Sequence, residues 1–376
     1  MEEPLLNRMP MFKSICVDIR LYFAMLTSEF DFFLPTDQIA QHSVEPRDHS
    51  RLMVIHKKEK TLEQRHFYDI VHFLKPGDVL VWNTSKVFKA RLLGKLLTQN
   101  NQGLWEHKRD IEVFLVRPMK NMGVWKALAK PGKHVQNGMR VQFASDFFCD
   151  VMVKEKDGTL LVQFQEEEQE VRRKSNIYGH IPIPPYVKQE PQDFEKYQTV
   201  YSKQEGSVAA PTAGFHFTPE LIEKIKAIGV EFAEVTLHVG LGTFLPVKTD
   251  NVEEHKMHAE WVELTTEHAE KINKAKQQGR RVIAVGTTTV RTLEAIAKEC
   301  SHGLVPYSGD VNIFITPGFE FKIIDALITN FHLPKSTLLM LVSAFAGDKD
   351  FLLDCYKKAV EEKYRFFSFG DAMFLE

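Results

Sequence analysis

Two hydrophobic rhythms divide the chain. Between Asp78 and Gln165 the apolar residues come in short runs: DVLVWN, RLLGKLL, IEVFLVRP, WKALAK, MRVQFA, DVMVKE and TLLVQFQ. Turn-forming stretches separate them, such as Asn100-Asn-Gln-Gly103, Lys130-Pro-Gly132 and Lys156-Asp-Gly158. No stretch there keeps a helical period beyond one turn. Six or seven strands without a helix predict a closed barrel or a sandwich.

From Gly206 onward strands and helices alternate. Thr218 caps a helix that starts with Pro219, buries Leu221, Ile222, Ile225 and Ile228, and stops at Gly229. A strand follows in which Val235, Leu237 and Val239 alternate with Glu234, Thr236 and His238. A second helix, about 266–278, leads to a strand at Arg281–Val285. A third helix spaces Val290, Leu293, Ile296, Ala297 and Cys300 along one face. Strands are expected at Ile313–Ile315 and Phe321–Ile324, then two C-terminal helices. The stretch Asp31–Leu74 has the same mixed character, with a helix at Thr36–Gln41, a strand at Arg51–Ile55 and a helix at His66–Leu74. Such alternation predicts a layered α/β domain. The barrel (76–167) is expected as an insertion into a discontinuous α/β domain (25–75 and 168–376). The acidic run Glu166–Glu170, followed by Arg172-Arg-Lys174, reads as a solvated connection.

Composition narrows the class but not the function. With 44% hydrophobic and 26% charged residues in 376, disordered, collagen-like and coiled-coil chains are excluded. A formal net charge of −2 gives no sign of nucleic-acid binding, which would need a local basic patch. Four cysteines form no CxxC pair, which fits a reducing, cytoplasmic compartment. The apolar run Thr337–Gly347 is far shorter than the ~20 residues that span a bilayer. Lys13, Asp18 and Arg20 interrupt the N-terminal apolar stretch, so no leader and no membrane contact are expected.

Chemistry concentrates in a few polar loops. Ala209-Ala-Pro-Thr-Ala-Gly-Phe-His-Phe-Thr218 opens a helix and brings Thr212, Gly214 and His216, whose N–H groups or imidazole could meet an anion or simply close a capped loop. Leu237-His-Val-Gly-Leu-Gly-Thr-Phe244 ends a strand in a glycine turn with His238, Gly240, Gly242 and Thr243. It lacks the spacing of a dinucleotide fingerprint. In Glu254-His-Lys-Met-His-Ala-Glu-Trp261, His255 and His258 could share a helix face as metal ligands. Read as a strand, His258 and Glu260 point to one side as an acid/base pair. Val285-Gly-Thr-Thr-Thr-Val-Arg-Thr-Leu-Glu294 starts a helix with Gly286, Thr287, Thr288, Thr289 and Arg291. Capping explains one threonine, not three with an arginine, so a carboxylate or phosphate site is favoured. Thr329-Asn-Phe-His-Leu-Pro-Lys-Ser-Thr337 adds Asn330, His332, Lys335 and Ser336. Tyr364-Arg-Phe-Phe-Ser-Phe-Gly-Asp-Ala-Met373 adds Asp371 within aromatics that serve as core or as a stacking platform.

In this order APTAGFHF, LHVGLGTF, EHKMHAEW, AVGTTTVRTLEA, TNFHLPKSTLLMLVSAFAG and YRFFSFGDAM closely resemble the S-adenosylmethionine:tRNA ribosyltransferase-isomerase family of queuosine biosynthesis. DFFLPTDQIAQ, RDHSRLMVI, LKPGDVLVWNTSKVFKARL, HIPIPPY and YQTVYS extend the match to about Met25–Glu376. Residues 1–24 have no counterpart in the family pattern and read either as an extension or as the product of a misassigned start codon before Met25. Lys86, Gln189 and Asp310-Val311 depart from the family pattern.

The resemblance implies an αβα sandwich beside a six-stranded β-barrel, with the active site between them. It implies a monomer that uses S-adenosylmethionine as ribosyl donor, without metal. The acceptor is 7-aminomethyl-7-deazaguanine at the tRNA wobble position. Epoxyqueuosine-tRNA forms, and adenine and methionine leave. The sulfonium acidifies the adjacent C5′ hydrogens, so a base is needed, and adenine must leave with a proton. His258 and Glu260 are the expected acid/base pair, with His216, His238 and Asp371 as competitors. The helix-start segment Gly286–Thr289 with Arg291 would hold an anionic portion of a substrate. Arg47, Arg51, Lys86, Lys89 and Arg91 are candidate tRNA phosphate contacts. Two other classes compete: a metal-dependent hydrolase on His255 and His258, and a non-catalytic RNA-binding module built on the barrel. A conventional methyltransferase would need a glycine-rich nucleotide loop, which is not evident.

Overall fold

The computed structural model describes residues 25–376, except 185, 189, 192, 241–246, 248, 258, 301 and 302. The strands and helices, in chain order, begin with β1 (Arg51–His56), β2 (Thr61–His66), β3 (Val79–Asn83) and β4 (Ser85–Val87). Next come β5 (Arg91–Gln99), β6 (Trp105–Pro118), β7 (Val124–Lys130), β8 (Arg140–Ala144), β9 (Phe147–Lys154) and β10 (Leu160–Phe164). Then follow α1 (Glu168–Tyr178), β11 (Gln204–Ser207), α2 (Pro219–Ala227), β12 (Glu231–Leu237), β13 (Glu260–Leu264), α3 (Thr266–Gln277) and β14 (Val282–Val285). The chain closes with α4 (Thr287–Glu299), β15 (Tyr307–Val311), β16 (Ala326–Asn330), α5 (Thr337–Ala346), α6 (Lys349–Glu361) and β17 (Ala372–Leu375).

Strands β5 to β10 close into a six-stranded barrel in the order β10-β7-β6-β5-β8-β9. Their alternation is real: along β10 the buried residues are Leu160, Val162 and Phe164, and these fill the barrel with Leu92, Leu96, Val113, Trp125 and Val141. A nine-stranded sheet of the described residues runs β15-β13-β12-β3-β14-β16-β17-β1-β2. Its two faces feed separate cores. Val79, Val81, Val282 and Ala284 join α3 to α6 on one side, while Leu80, Trp82, Ile283 and Val285 join α2 on the other. That is the three-layer α/β sandwich.

One strand predicted for the barrel is not in it. The DVLVWN run forms β3 at the centre of the sheet, parallel to β12 and β14 and buried at every residue. A continuous apolar run is what a central parallel strand needs, whereas a barrel strand alternates. The acidic run is also more than a solvated connection. It opens α1, whose Arg172 guanidinium lies 5.6 and 5.7 Å from the ring centroids of Phe88 and Trp125. The apolar stretches Ile313–Ile315 and Phe321–Ile324 bury their isoleucines but join no ladder. The segments expected as helices near 36–41 and 66–74 are short 3-10 turns at Thr36–Gln38 and Phe67–His72.

Candidate active site

β3, β12, β14 and β16 run parallel, so their carboxyl ends share one edge of the sheet. β17 lies antiparallel to β16 and β1 parallel to β17, which brings the starts of both to the same edge. Ligands of α/β sheets bind at such an edge. Here β14 turns through Gly286 into α4. Gly286 has φ +86°, which a side chain would make costly. The turn aims the first amides of α4 at the edge.

A cavity of about 60 Å3 lies at this point. Thr212, Val239, Gly286, Thr287, Thr288, Asn330, His332, Phe367 and Ser368 line it, so five of the predicted loops meet. Thr289 and Thr292 do not reach it with their hydroxyls, which donate to the carbonyls of Val285 and Thr288 at 2.8 and 2.9 Å. Thr288 Oγ1 is buried without a hydrogen-bond partner. So is Asn330 Oδ1, whose Nδ2 donates to the Phe367 carbonyl at 2.9 Å. Unmet buried polar atoms on a cavity wall are where a ligand recovers a hydrogen bond.

Two buried imidazoles, His216 and His332, and the half-buried His238 stand near this edge, and desolvation holds each neutral at pH 7. His216 is pushed down to about 4, chiefly by burial, with the Asn330 side chain acting weakly in the opposite sense. Its Nδ1 lies 2.7 Å from Ser50 Oγ, and its Nε2 has no hydrogen-bond partner. His332 is pushed down to about 3 by burial. His238 is pushed down to about 4 by burial and then by Arg172, and its ring stacks on Trp261 at 5.1 Å.

Glu260, at the start of β13, meets Arg291 of α4 at 2.5 Å, and its other oxygen accepts the Gly240 N–H at 3.4 Å. Arg291 Nε and Nη2 are buried without hydrogen-bond partners. Asp371 accepts the amides of Arg365 and Arg51 at 2.8 and 3.0 Å. Burial raises its carboxyl above the ordinary range.

A sequence profile described as "Queuosine biosynthesis protein" matches residues 27–375. The S-adenosylmethionine:tRNA ribosyltransferase-isomerase of Thermotoga petrophila is 51% identical over 351 residues, covering 93% of this chain and all of the relative. That of Thermosipho africanus is 50% identical over 353 residues, with the same coverage. A crystal structure of S-adenosylmethionine tRNA ribosyltransferase from Thermotoga maritima superposes with a TM-score of 0.53 at 42% identity, covering 93% of this chain and 100% of that one. The chain belongs to the S-adenosylmethionine:tRNA ribosyltransferase-isomerase family. It is an enzyme, a transferase-isomerase of queuosine biosynthesis.

Not every residue singled out for this ribosyltransferase-isomerase reaches the cavity. His258, Gly242 and Thr243 lie outside the described residues, as does Gln189. Gly214 serves packing: a Cβ there would stand 2.0 Å from the Tyr201 hydroxyl. Ser336 caps α5 by accepting the Leu339 amide, and Lys335 pairs with Asp31 at 2.7 Å. Arg47 donates to the carbonyls of Gln198 and Lys196, Arg51 to that of Glu362, and Arg91 to the Glu112 carboxylate. Arg51 also lies 3.7 Å from the centre of the Tyr364 ring. Lys86 and Lys89 face the turn Phe194–Tyr197, with Lys86 3.9 Å from Glu195 and Lys89 5.7 Å from the Phe194 ring. Asp310, read from sequence as a departure, holds Arg117 of the barrel through both oxygens at 3.0 Å.

Among the described residues no group of three or more His, Cys, Asp or Glu is placed to hold a metal ion. His255 packs edge-on to Phe314. No helix of the described residues is long and apolar enough to cross a membrane.

Sequence reasoning missed Ser50, Phe367 and Ser368. Phe367 and Ser368 line the cavity, and Phe367 takes φ +73°, a strained conformation for a bulky residue and one that collects at functional sites. Phe367 and Ser368 sat inside a noted aromatic motif, but no spacing marks a left-handed phenylalanine.

Proposed function

We propose that this enzyme transfers the ribosyl portion of S-adenosylmethionine to 7-aminomethyl-7-deazaguanine at the tRNA wobble position and isomerises it. Epoxyqueuosine-tRNA forms, and adenine and methionine leave. The observation that carries this reading is the match to named ribosyltransferase-isomerases over 93% of the chain, end to end with the relatives. The cavity at the strand ends supports it chemically. The donor's methionine carboxylate fits the first amides of α4 and the unmet hydroxyl of Thr288, where the helix dipole favours an anion.

Deprotonation beside the sulfonium calls for a base that is neutral and positioned. His216 meets both demands among the described residues, with Nδ1 held by Ser50 and Nε2 open to accept a proton. His332, also neutral, lines the cavity where the departing adenine needs a proton partner. Glu260 is engaged by Arg291, so its role here is to hold that guanidinium in place. His258 stays a candidate from sequence.

The test is product analysis. Purified enzyme, S-adenosylmethionine and tRNA carrying the deazaguanine should yield free adenine and methionine. S-adenosylhomocysteine in their place would mean methyl transfer and refute the reading.

A further inference from the structure

Three hollows lie in a row across the sheet edge. The innermost is the cavity already described. Its wall residue Ser368 also lines a neck of about 10 Å3 that contains His216 and Ser50. The neck shares Ser43, Arg47 and Phe369 with an outer cleft of about 720 Å3. Asn330 stands on the inner side and His216 in the neck. The boundary between the two hollows therefore runs between these two residues, with Ser368 on both sides of it.

The hollows differ in chemistry. The inner one is small, with a helix N-terminus and unmet polar atoms on its wall. The outer one has the volume of a ligand-binding pocket, and Arg47, Lys188, Lys196, Glu190, Asp193 and Phe369 line it. Arg47 builds its wall by tying the carbonyls of Lys196 and Gln198. Lys188 is exposed, and Lys196 is 60% exposed with only a surface partner in Glu45. Lys86 and Lys89 face the adjoining turn Phe194–Tyr197, where Lys86 pairs with Glu195 at 3.9 Å and Lys89 lies over the Phe194 ring. An arginine, two exposed lysines and an aromatic ring around a cleft of this size suit one chemical class: a nucleotide within an anionic polymer, extruded so that its base enters while its phosphates stay outside. Phe369 offers the base an aromatic wall, while the Glu190 carboxylate already accepts the Ile181 amide at 2.7 Å and Asp193 caps the turn at Glu195.

We infer that the two substrates reach the His216–Asn330 boundary from opposite sides, the sulfonium donor in the inner cavity and the acceptor nucleotide of the RNA through the outer cleft. This rests on the function proposed above. Seating both substrates requires more room than the inner cavity and neck hold here, about 60 and 10 Å3, and the Tyr186 hydroxyl bonded to Ser368 lies where they meet.

The test reverses charge at the cleft mouth. A Lys188→Glu, Lys196→Glu double variant should bind the deazaguanine-bearing tRNA about tenfold or more weakly, with a salt dependence shallower by about one to two units of slope. Its affinity for S-adenosylmethionine, measured by calorimetry, should stay within about twofold, which also reports that the fold is intact. A Lys188→Arg, Lys196→Arg variant should keep both affinities. Unchanged tRNA affinity in the charge-reversed protein would overturn the inference, and so would equal loss of both ligands. If the wild-type protein releases adenine and methionine while the variant binds tRNA normally, the cleft assignment alone fails. If the wild type releases neither, the functional reading fails with it.

Discussion

Arg291 and Glu260 form an ion pair at 2.5 Å with side chains only 5% and 4% exposed. They join α4 to the start of β13, so the helix whose N-terminus lines the cavity is fixed to the sheet by a desolvated charge pair. Breaking such a pair from one side leaves an uncompensated buried charge. Glu260→Gln should therefore cost about 3–5 kcal/mol in denaturant unfolding. Adding Arg291→Gln to it should recover a large part of that loss. Additive losses in the double variant would show that the two residues act independently.

Thr288 gives a sharper separation of binding from stability. Its buried hydroxyl has no partner, so Thr288→Val removes an unmet polar group and should leave the unfolding free energy unchanged or slightly higher. The same variant should weaken S-adenosylmethionine binding by about 0.5–1.5 kcal/mol, the worth of one hydrogen bond. Calorimetric titration beside urea unfolding reads both. Normal donor affinity would remove Thr288 from the donor site.

Gly286 is needed for its backbone rather than for space. A Cβ there would meet Ala213 Cβ at 3.5 Å, an ordinary contact, but φ is +86°. Gly286→Ala should therefore destabilise the fold by about 1–3 kcal/mol, because φ +86° with ψ 152° is a region open essentially to glycine alone. A thermal midpoint unchanged from wild type would contradict this.

The buried imidazoles set a pH window. His216 and His238 protonate in the folded protein near 4, against an ordinary value near 6.5. Between those values the unfolded chain takes up protons that the native state refuses. Stability is therefore complete above about pH 6.5 and falls as pH drops toward 4, by up to about 1.4 kcal/mol per pH unit for each histidine. Urea unfolding at pH 7.5 and pH 5 reads the slope, and His216→Asn should flatten it. A flat profile in the wild type would mean that these rings are not buried neutral.

Much of the fold was legible because its elements carry local signals. Thr218-Pro219 opening α2, the apolar face of α4 and the alternation in β10 each name their own structure. β3 misled because a run buried on both faces looks the same in a barrel list as in a sheet centre, and only its partners β12 and β14 decide. β2 escaped because TLEQRH is a polar edge strand held by pairing with β1. The site was half visible: glycine turns and hydroxyl clusters revealed the loops at the strand ends. The boundary between the hollows could not be read, because Ser50, His216 and Asn330 come from three distant segments and are brought to it only by tertiary packing.

The most direct measurement follows the atoms. S-adenosylmethionine labelled with carbon-13 in the ribose and deuterium in the methyl group would be incubated with the enzyme and deazaguanine-bearing tRNA. Mass spectrometry would then locate both labels. The account predicts the ribose label on the wobble nucleotide and the methyl label in free methionine, with adenine released in equal amount. A methyl label on the RNA, with the ribose label in S-adenosylhomocysteine, would contradict it.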